Sequence, residues 1–185
     1  MKMTARRTAG LLFALLCLPL VLLAAEPQAT HEFSLDNGLK VIVREDHRAP
    51  VVVSQVWYKV SSSYETPGQT GLSHVLEHMM FKGSAKLGPG EASRILRELG
   101  AEENAFTSDD YTAYYQVLAR DRLAVALEME ADRMASLRLP PEEFAREIEV
   151  IKEERRLRVD DKPNSLAYER FKAIAYPASG YGIPT

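Results

Sequence analysis

The chain has 185 residues, 46% of them apolar, and a formal net charge of −3. That length suits one domain, the apolar content supplies a core, and wholesale disorder is excluded. The charge gives no reason to expect nucleic acid as a partner, and Cys17, the only cysteine, rules out a disulfide scaffold or a cysteine-ligated metal site.

Lys2, Arg6 and Arg7 precede an apolar run from Ala9 to Ala25, broken only by Pro19. Glu26-Pro27-Gln28 then turns polar. The pattern is that of a signal peptide over residues 1–25, with export to a compartment such as the periplasm. An uncleaved segment that tethers the chain to a membrane is the alternative reading, although the run is short for a span of about 20 residues. Without these residues the chain has no cysteine and a net charge of −6.

From Glu32 to Leu35 a short strand is expected. Asp36-Asn37-Gly38 is a hairpin signal, and Leu39 to Val43 is the returning strand. Ala49-Pro50 breaks the pattern before a longer strand, Val51 to Val60. Residues 61–68 read as a loop. Thr70 is the expected N-cap of a helix running to about Lys82. A second helix starts near Pro89-Gly90 and ends at Gly100, a suitable residue for a left-handed helix end. Strands are expected over 104–108 and 111–118. Asp121 is the expected cap of a helix through Leu137. Pro140-Pro141 with Glu142 and Glu143 opens another, running to about Asp160. Pro163 separates it from a last helix over 166–175. Strands, then helices, then strands, then helices favour a layered α/β (α+β) two-layer sandwich. The sequence also breaks off at Thr185 without closing an element, as a fragment would.

The chemistry concentrates in His74-Val75-Leu76-Glu77-His78. Histidines four residues apart share one helix face, so both imidazoles can reach one metal ion. Glu77 lies on that side too, placed to act on metal-bound water without ligating. Leu72, Val75, Leu76, Met79 and Met80 cover the other faces, so the helix reads as buried nearly all round, and its polar groups need partners. The bland alternative is two unconnected histidines one turn apart. Catalytic zinc takes three protein ligands. With His31 and His47 the only other histidines, a carboxylate is the expected third. The helix after Pro141 offers two. Glu147 and Glu154 fall within the apolar arc formed by Phe144, Ile148, Val150, Ile151 and Leu157, while Glu149 and Glu153 fall opposite. Either carboxylate could ligate while the other supports. A structural salt bridge to Arg158 is the competing reading.

The H-x-x-E-H order, followed 76 residues after His78 by Glu154 within an E-x6-E step from Glu147, resembles the pitrilysin-type zinc metallopeptidases. That family includes insulin-degrading enzyme and the mitochondrial processing peptidase β subunit. The likeness extends from about Phe33 onward and includes the Leu35–Leu39 hairpin, Gly71 to Gly83, and Asn104-Ala105-Phe106-Thr107. It implies a mostly antiparallel sheet with helices on one face, and an N-terminal metallopeptidase domain over 26–185, incomplete at its C-terminal end. It assigns one zinc ion to His74, His78 and Glu154, general-base chemistry to Glu77 and a supporting catalytic role to Glu147. Asn104, Ala105, Phe106 and Thr107 would bind the backbone of a peptide substrate along a sheet edge. Relatives are much longer and close two halves around the substrate, so a second subunit or the missing C-terminal half is the implied partner. Ala101 stands where many relatives carry a second glycine. Two rivals share features of this pattern. S-ribosylhomocysteine lyase also carries an inverted H-x-x-E-H, but uses a cysteine near its metal. A zinc-binding half that is inactive alone would keep the ligands and lack the rest of the chamber.

Overall fold

A computed structural model describes residues 29–184, which fall into two compact units, one up to Arg48 and one from Ala49 onward. The expected signal segment lies outside the described residues. None of the helices described is long and apolar enough to cross a membrane.

The first unit is an antiparallel hairpin of β1 (Thr30–Ser34) and β2 (Lys40–Arg44). Its turn follows from its residues. Gly38 takes a left-handed φ of 85°, and its N–H donates to the Leu35 carbonyl at 2.9 Å. Asn37 Oδ1 accepts from Leu39 N at 3.1 Å. Leu35 N donates to the Leu39 carbonyl at 2.9 Å, which leaves Asp36 to Gly38 as the turn, and three residues with glycine at the left-handed position are a common hairpin solution.

In the second unit, β3 (Val51–Tyr58), β4 (Glu102–Thr107) and β5 (Thr112–Ala119) form an antiparallel sheet in the order β3-β5-β4. The two-residue period decides which face is covered. Ser54, Gln116 and Leu118 are buried, whereas Val51, Val53 and Trp57 are exposed. Helices α1 (Leu72–Met79) and α2 (Glu91–Glu98) lie against β4, and α3 (Leu123–Ser136) lies against β3 and β5. Leu96, Ala101, Leu118 and Ala126 form a core cluster, with Val52 and Met129 packed on it. Ala101 thus adds a core methyl. On the open face Trp57 and Phe106 meet edge-on at 5.9 Å above the buried Ala113.

At the end of α2 the expectation for Gly100 holds. It adopts φ 71°, its N–H donates to the Arg97 carbonyl at 3.0 Å, and Ala101 N donates to the Leu96 carbonyl at 2.9 Å. Together these form the paired bonds of a Schellman motif.

Several helix boundaries differ from the sequence reading: α1 ends at Met79 rather than near Lys82, and the last helix begins at Pro163 itself rather than near Leu166. Thr70 does not cap α1: Gly71, at φ 86°, is the N-cap, and a carboxylate from further upstream supplies the acceptor. Asp121 does not cap α3, because Arg120–Arg122 forms a 3-10 turn and Arg122 is the N-cap, with no side-chain cap bond. Helix α4 (Pro141–Arg155) stops short of Asp160. It widens into a π turn, Arg156–Asp160, closed by Asp161 N on the Arg156 carbonyl at 2.8 Å, before α5 (Pro163–Ala175). Nor is α1 buried nearly all round. Met79 and Met80 are buried, but Leu72 and Leu76 are exposed. The apolar arc of α4 is likewise open at Phe144 and Val150, and Leu157 in the π turn is exposed too.

Polar groups also enter the interior. Gln116 donates to Glu130, which is paired with Arg133. The Arg133 guanidinium lies 4.8 Å from the Tyr114 ring centroid and 5.2 Å from that of Phe81. Burial lowers its pKa, and the neighbouring carboxylate and rings compensate its charge.

Candidate metal centre

Helix α1 carries two imidazoles on one face because His74 and His78 are one turn apart. The rings stand 4.9 Å apart, tilted by 76°. The start of this helix is fixed from outside. Glu65 accepts hydrogen bonds from Gly71 N and Ser73 N, both at 2.6 Å. A carboxylate on the first-turn N–H groups satisfies donors that the helix cannot, and its charge suits the positive end of the helix dipole.

Helix α4 packs against α1 and brings Glu154 to the histidines. Glu154 Oε2 lies 3.4 Å from His74 Nε2 and 3.4 Å from His78 Nε2. The three atoms lie within 4.8 Å of one another. Ligands held about 2.0–2.1 Å from a tetrahedral zinc ion sit roughly 3.3–3.4 Å apart. Glu154 Oε2 is buried and makes no hydrogen bond. A buried, unsatisfied carboxylate oxygen facing two ring nitrogens calls for a cation among them. The donor set of two nitrogens and one oxygen fits zinc and leaves an open position for water. The other oxygen, Oε1, is held by Arg158 at 2.7 Å. The competing salt bridge is therefore present, and it uses the oxygen turned away from the histidines.

Around this trio a further layer is built. Glu147 is buried, and its Oε2 lies 3.0 Å from His78 Nδ1. Its Oε1 is 2.5 Å from Lys82 Nζ. Burial opposes the charge on Glu147, but hydrogen bonds from Lys82 and His78 hold its pKa below the ordinary carboxylate value. Burial, and then the neighbouring His78, push the His74 pKa down, which favours the neutral imidazole that can bind a metal. Glu149 and Glu153 point to solvent, as the helical pattern predicts.

Glu77 faces the same cleft, and one of its oxygens accepts from the Thr107 hydroxyl. Thr107 ends β4, an edge strand of the three-stranded sheet. Asn104, Ala105, Phe106 and Thr107 all line the cleft, which has a volume of about 980 Å³. Ala105 N donates to Asn104 Oδ1 at 2.9 Å. Thus the chain brings His74, Glu77, His78, Glu147, Glu154 and the stretch Asn104 to Thr107 to one cleft. Glu65 and Lys82 went unremarked in the sequence reading. The lysine is four residues after His78, a helical spacing that could have signalled it.

A family model described as insulinase (peptidase family M16) matches residues 40–185. Zinc protease PqqE of Helicobacter pylori is 40% identical over 144 residues, 77% of this chain and 32% of that protein. The mitochondrial-processing peptidase β subunit of Dictyostelium discoideum is 29% identical over 150 residues, 80% of this chain and 32% of that protein. The crystal structure of a protease from Helicobacter pylori matches with a TM-score of 0.81 at 36% identity, covering 85% of this chain and 38% of that one. The chain spans about a third of the length of these relatives.

Proposed function

The chain belongs to the M16, or insulinase, family of peptidases, and from that premise we propose that it is the metal-binding part of a zinc metalloendopeptidase acting on peptides. The observation that carries this is the buried, unbonded Oε2 of Glu154, 3.4 Å from two imidazole nitrogens. Zinc held there by His74, His78 and Glu154 would supply a water of pKa near 7 and a Lewis acid for a peptide carbonyl.

The residues around it have separable tasks. His74, His78 and Glu154 are the proposed ligands. Glu77 takes the proton from the attacking water and returns it to the leaving amine. Thr107 holds one Glu77 oxygen and so leaves the other to carry that proton. Glu147 keeps His78 oriented through Nδ1. Strand β4 pairs with β5 on one side only, so a peptide lying along Asn104 to Thr107 would extend the sheet beside Glu77. We also propose that residues 1–25 export the chain, to the periplasm in a bacterium with two membranes.

A second reading has its own support. The chain spans about a third of its relatives, and the cleft is open. On that reading the chain binds zinc but cleaves only with a partner subunit or further domains. One set of measurements tests both. Glu77→Gln should keep one zinc per chain and abolish cleavage of an unstructured peptide, while Glu154→Gln should lose zinc. Cleavage that appears only on adding a second half favours the second reading. A wild-type chain that binds no zinc, or a Glu77→Gln variant that cleaves normally, refutes the proposed chemistry.

A further inference from the structure

We propose that Lys82 is a positioning residue of the metal centre, acting through Glu147 to present His78 to the ion. The inference rests on the zinc reading above and adds a residue to it. Lys82 follows α1 directly, where Met80 N and Lys82 N still donate to the carbonyls of Leu76 and Met79. Its side chain is three-quarters buried. It extends back over the face that carries His78, one turn earlier, and meets Glu147 from α4.

The chain of contacts has one direction. An ammonium group only donates, so at 2.5 Å Glu147 Oε1 must accept. The second oxygen of the same carboxylate lies 3.0 Å from His78 Nδ1, and a carboxylate again only accepts. The ring proton therefore sits on Nδ1, and Nε2 carries the lone pair. That Nε2 is the atom 3.4 Å from Glu154 Oε2. With both oxygens engaged, the Glu147 carboxylate is fixed in rotation as well as in place. If Lys82 is removed, the carboxylate can turn, and the imidazole loses the partner that sets its tautomer and its angle.

This role has a sign that separates it from a simple charge effect. A cation beside a zinc site repels the metal, so deleting the ammonium should tighten zinc binding if only the field mattered. Positioning makes the opposite prediction. Loss of a group that orients a metal ligand costs about 10- to 100-fold in metal affinity.

The test measures zinc affinity of the full chain by competition with a chromophoric chelator. Cobalt substitution reports the ligand geometry through its visible spectrum. Lys82→Met is expected to weaken zinc about 10- to 100-fold and to change the cobalt bands. Lys82→Arg, which restores a cationic donor, should recover most of the loss. A Glu147→Gln background removes the intermediary, and there Lys82→Met should add less than about a threefold change. That double variant leaves no stranded carboxylate at position 147, so the comparison survives if Lys82→Met alone folds poorly. Unchanged or tighter zinc binding by Lys82→Met overturns the proposal, as does a further large loss in the Glu147→Gln background. A wild-type chain that binds no zinc overturns the metallopeptidase reading itself. Wild-type binding with an indifferent Lys82→Met removes only Lys82.

Discussion

Replacing Glu65 by alanine should loosen the metal centre without touching any group that faces it. Helix α1 has eight residues, too few to be stable on its own, since isolated helices below about 12–15 residues are marginal in water. Its first turn contains His74 and is held by two bonds of 2.6 Å from the Glu65 carboxylate to Gly71 N and Ser73 N. Hydrogen bonds to charged groups contribute about 1.5–3 kcal/mol each, while loss of a helix cap costs about 0.5–2 kcal/mol. Glu65 is half-buried, and water can replace part of what is lost. The net cost is therefore about 2 kcal/mol. For a chain of this size that lowers Tm by about 4–8 °C. Glu65→Gln keeps one good acceptor and should lose about half as much. Thermal unfolding of the metal-free chain gives the stability, and zinc competition gives the affinity. Hydrogen exchange at the Gly71 and Ser73 amides reports the cap directly. If Glu65→Ala melts within 1 °C of wild type and its amide protection is unchanged, the cap does not hold the helix.

Two further outcomes follow from the charged groups and the ion. Because the folded chain holds the pKa values of His74 and Glu147 below their ordinary levels, the unfolded chain binds protons more readily at both sites. The associated stability is intact above about pH 6.5 for His74 and about pH 4.3 for Glu147, and it is lost as the pH falls through the lower folded values. Urea midpoints of the metal-free chain should therefore drop between pH 7 and pH 5. His74→Leu should flatten that drop, and an equally steep profile in the variant would refute the assignment. Chelation should destabilise the zinc-loaded chain. At free zinc 100 times the Kd, the expected difference is about 2.7 kcal/mol. Glu154→Gln should show no such difference, and a chelator-sensitive melt in that variant would place the metal elsewhere.

What the sequence made legible is what depends on period and local chemistry. Asn37-Gly38 announces the first hairpin, and Gly100 announces the end of α2. Alternation along β3 and β5 separates the covered face from the open one. The helical step from Glu147 to Glu154 separates two inward carboxylates from Glu149 and Glu153. What stayed hidden depends on approach through space. The cap on α1 comes from Glu65, six residues before Gly71 and across a loop, so no local signature marks it. The π turn at Arg156–Asp160 inserts an extra residue into the helical count, so a fixed 100° step drifts past Arg155. The exposed Leu72, Leu76, Phe144 and Val150 show a different limit. Apolar periodicity says which face a helix offers for burial, and nothing about whether this stretch of chain covers it.

The centre is best understood as an allocation of carboxylate oxygens. Glu147 gives one oxygen to Lys82 and one to His78. Glu154 gives one to Arg158 and leaves the other bare between two imidazoles. Glu77 gives one to Thr107 and turns the remainder to the cleft. In each case a donor from the chain fixes one oxygen and so aims its twin. An aimed acceptor that lacks a donor costs free energy in a buried setting. Glu154 Oε2 is such a group, and it is a reason for this fold to take up a cation rather than to close on itself. Glu130 and Asp132 are buried as well, but there donors of the chain engage both oxygens, from Gln116 and Arg133 for the first and from Ser84 and Ser136 for the second. At the metal centre each carboxylate instead has a cationic or hydroxyl partner on one side and a task on the other.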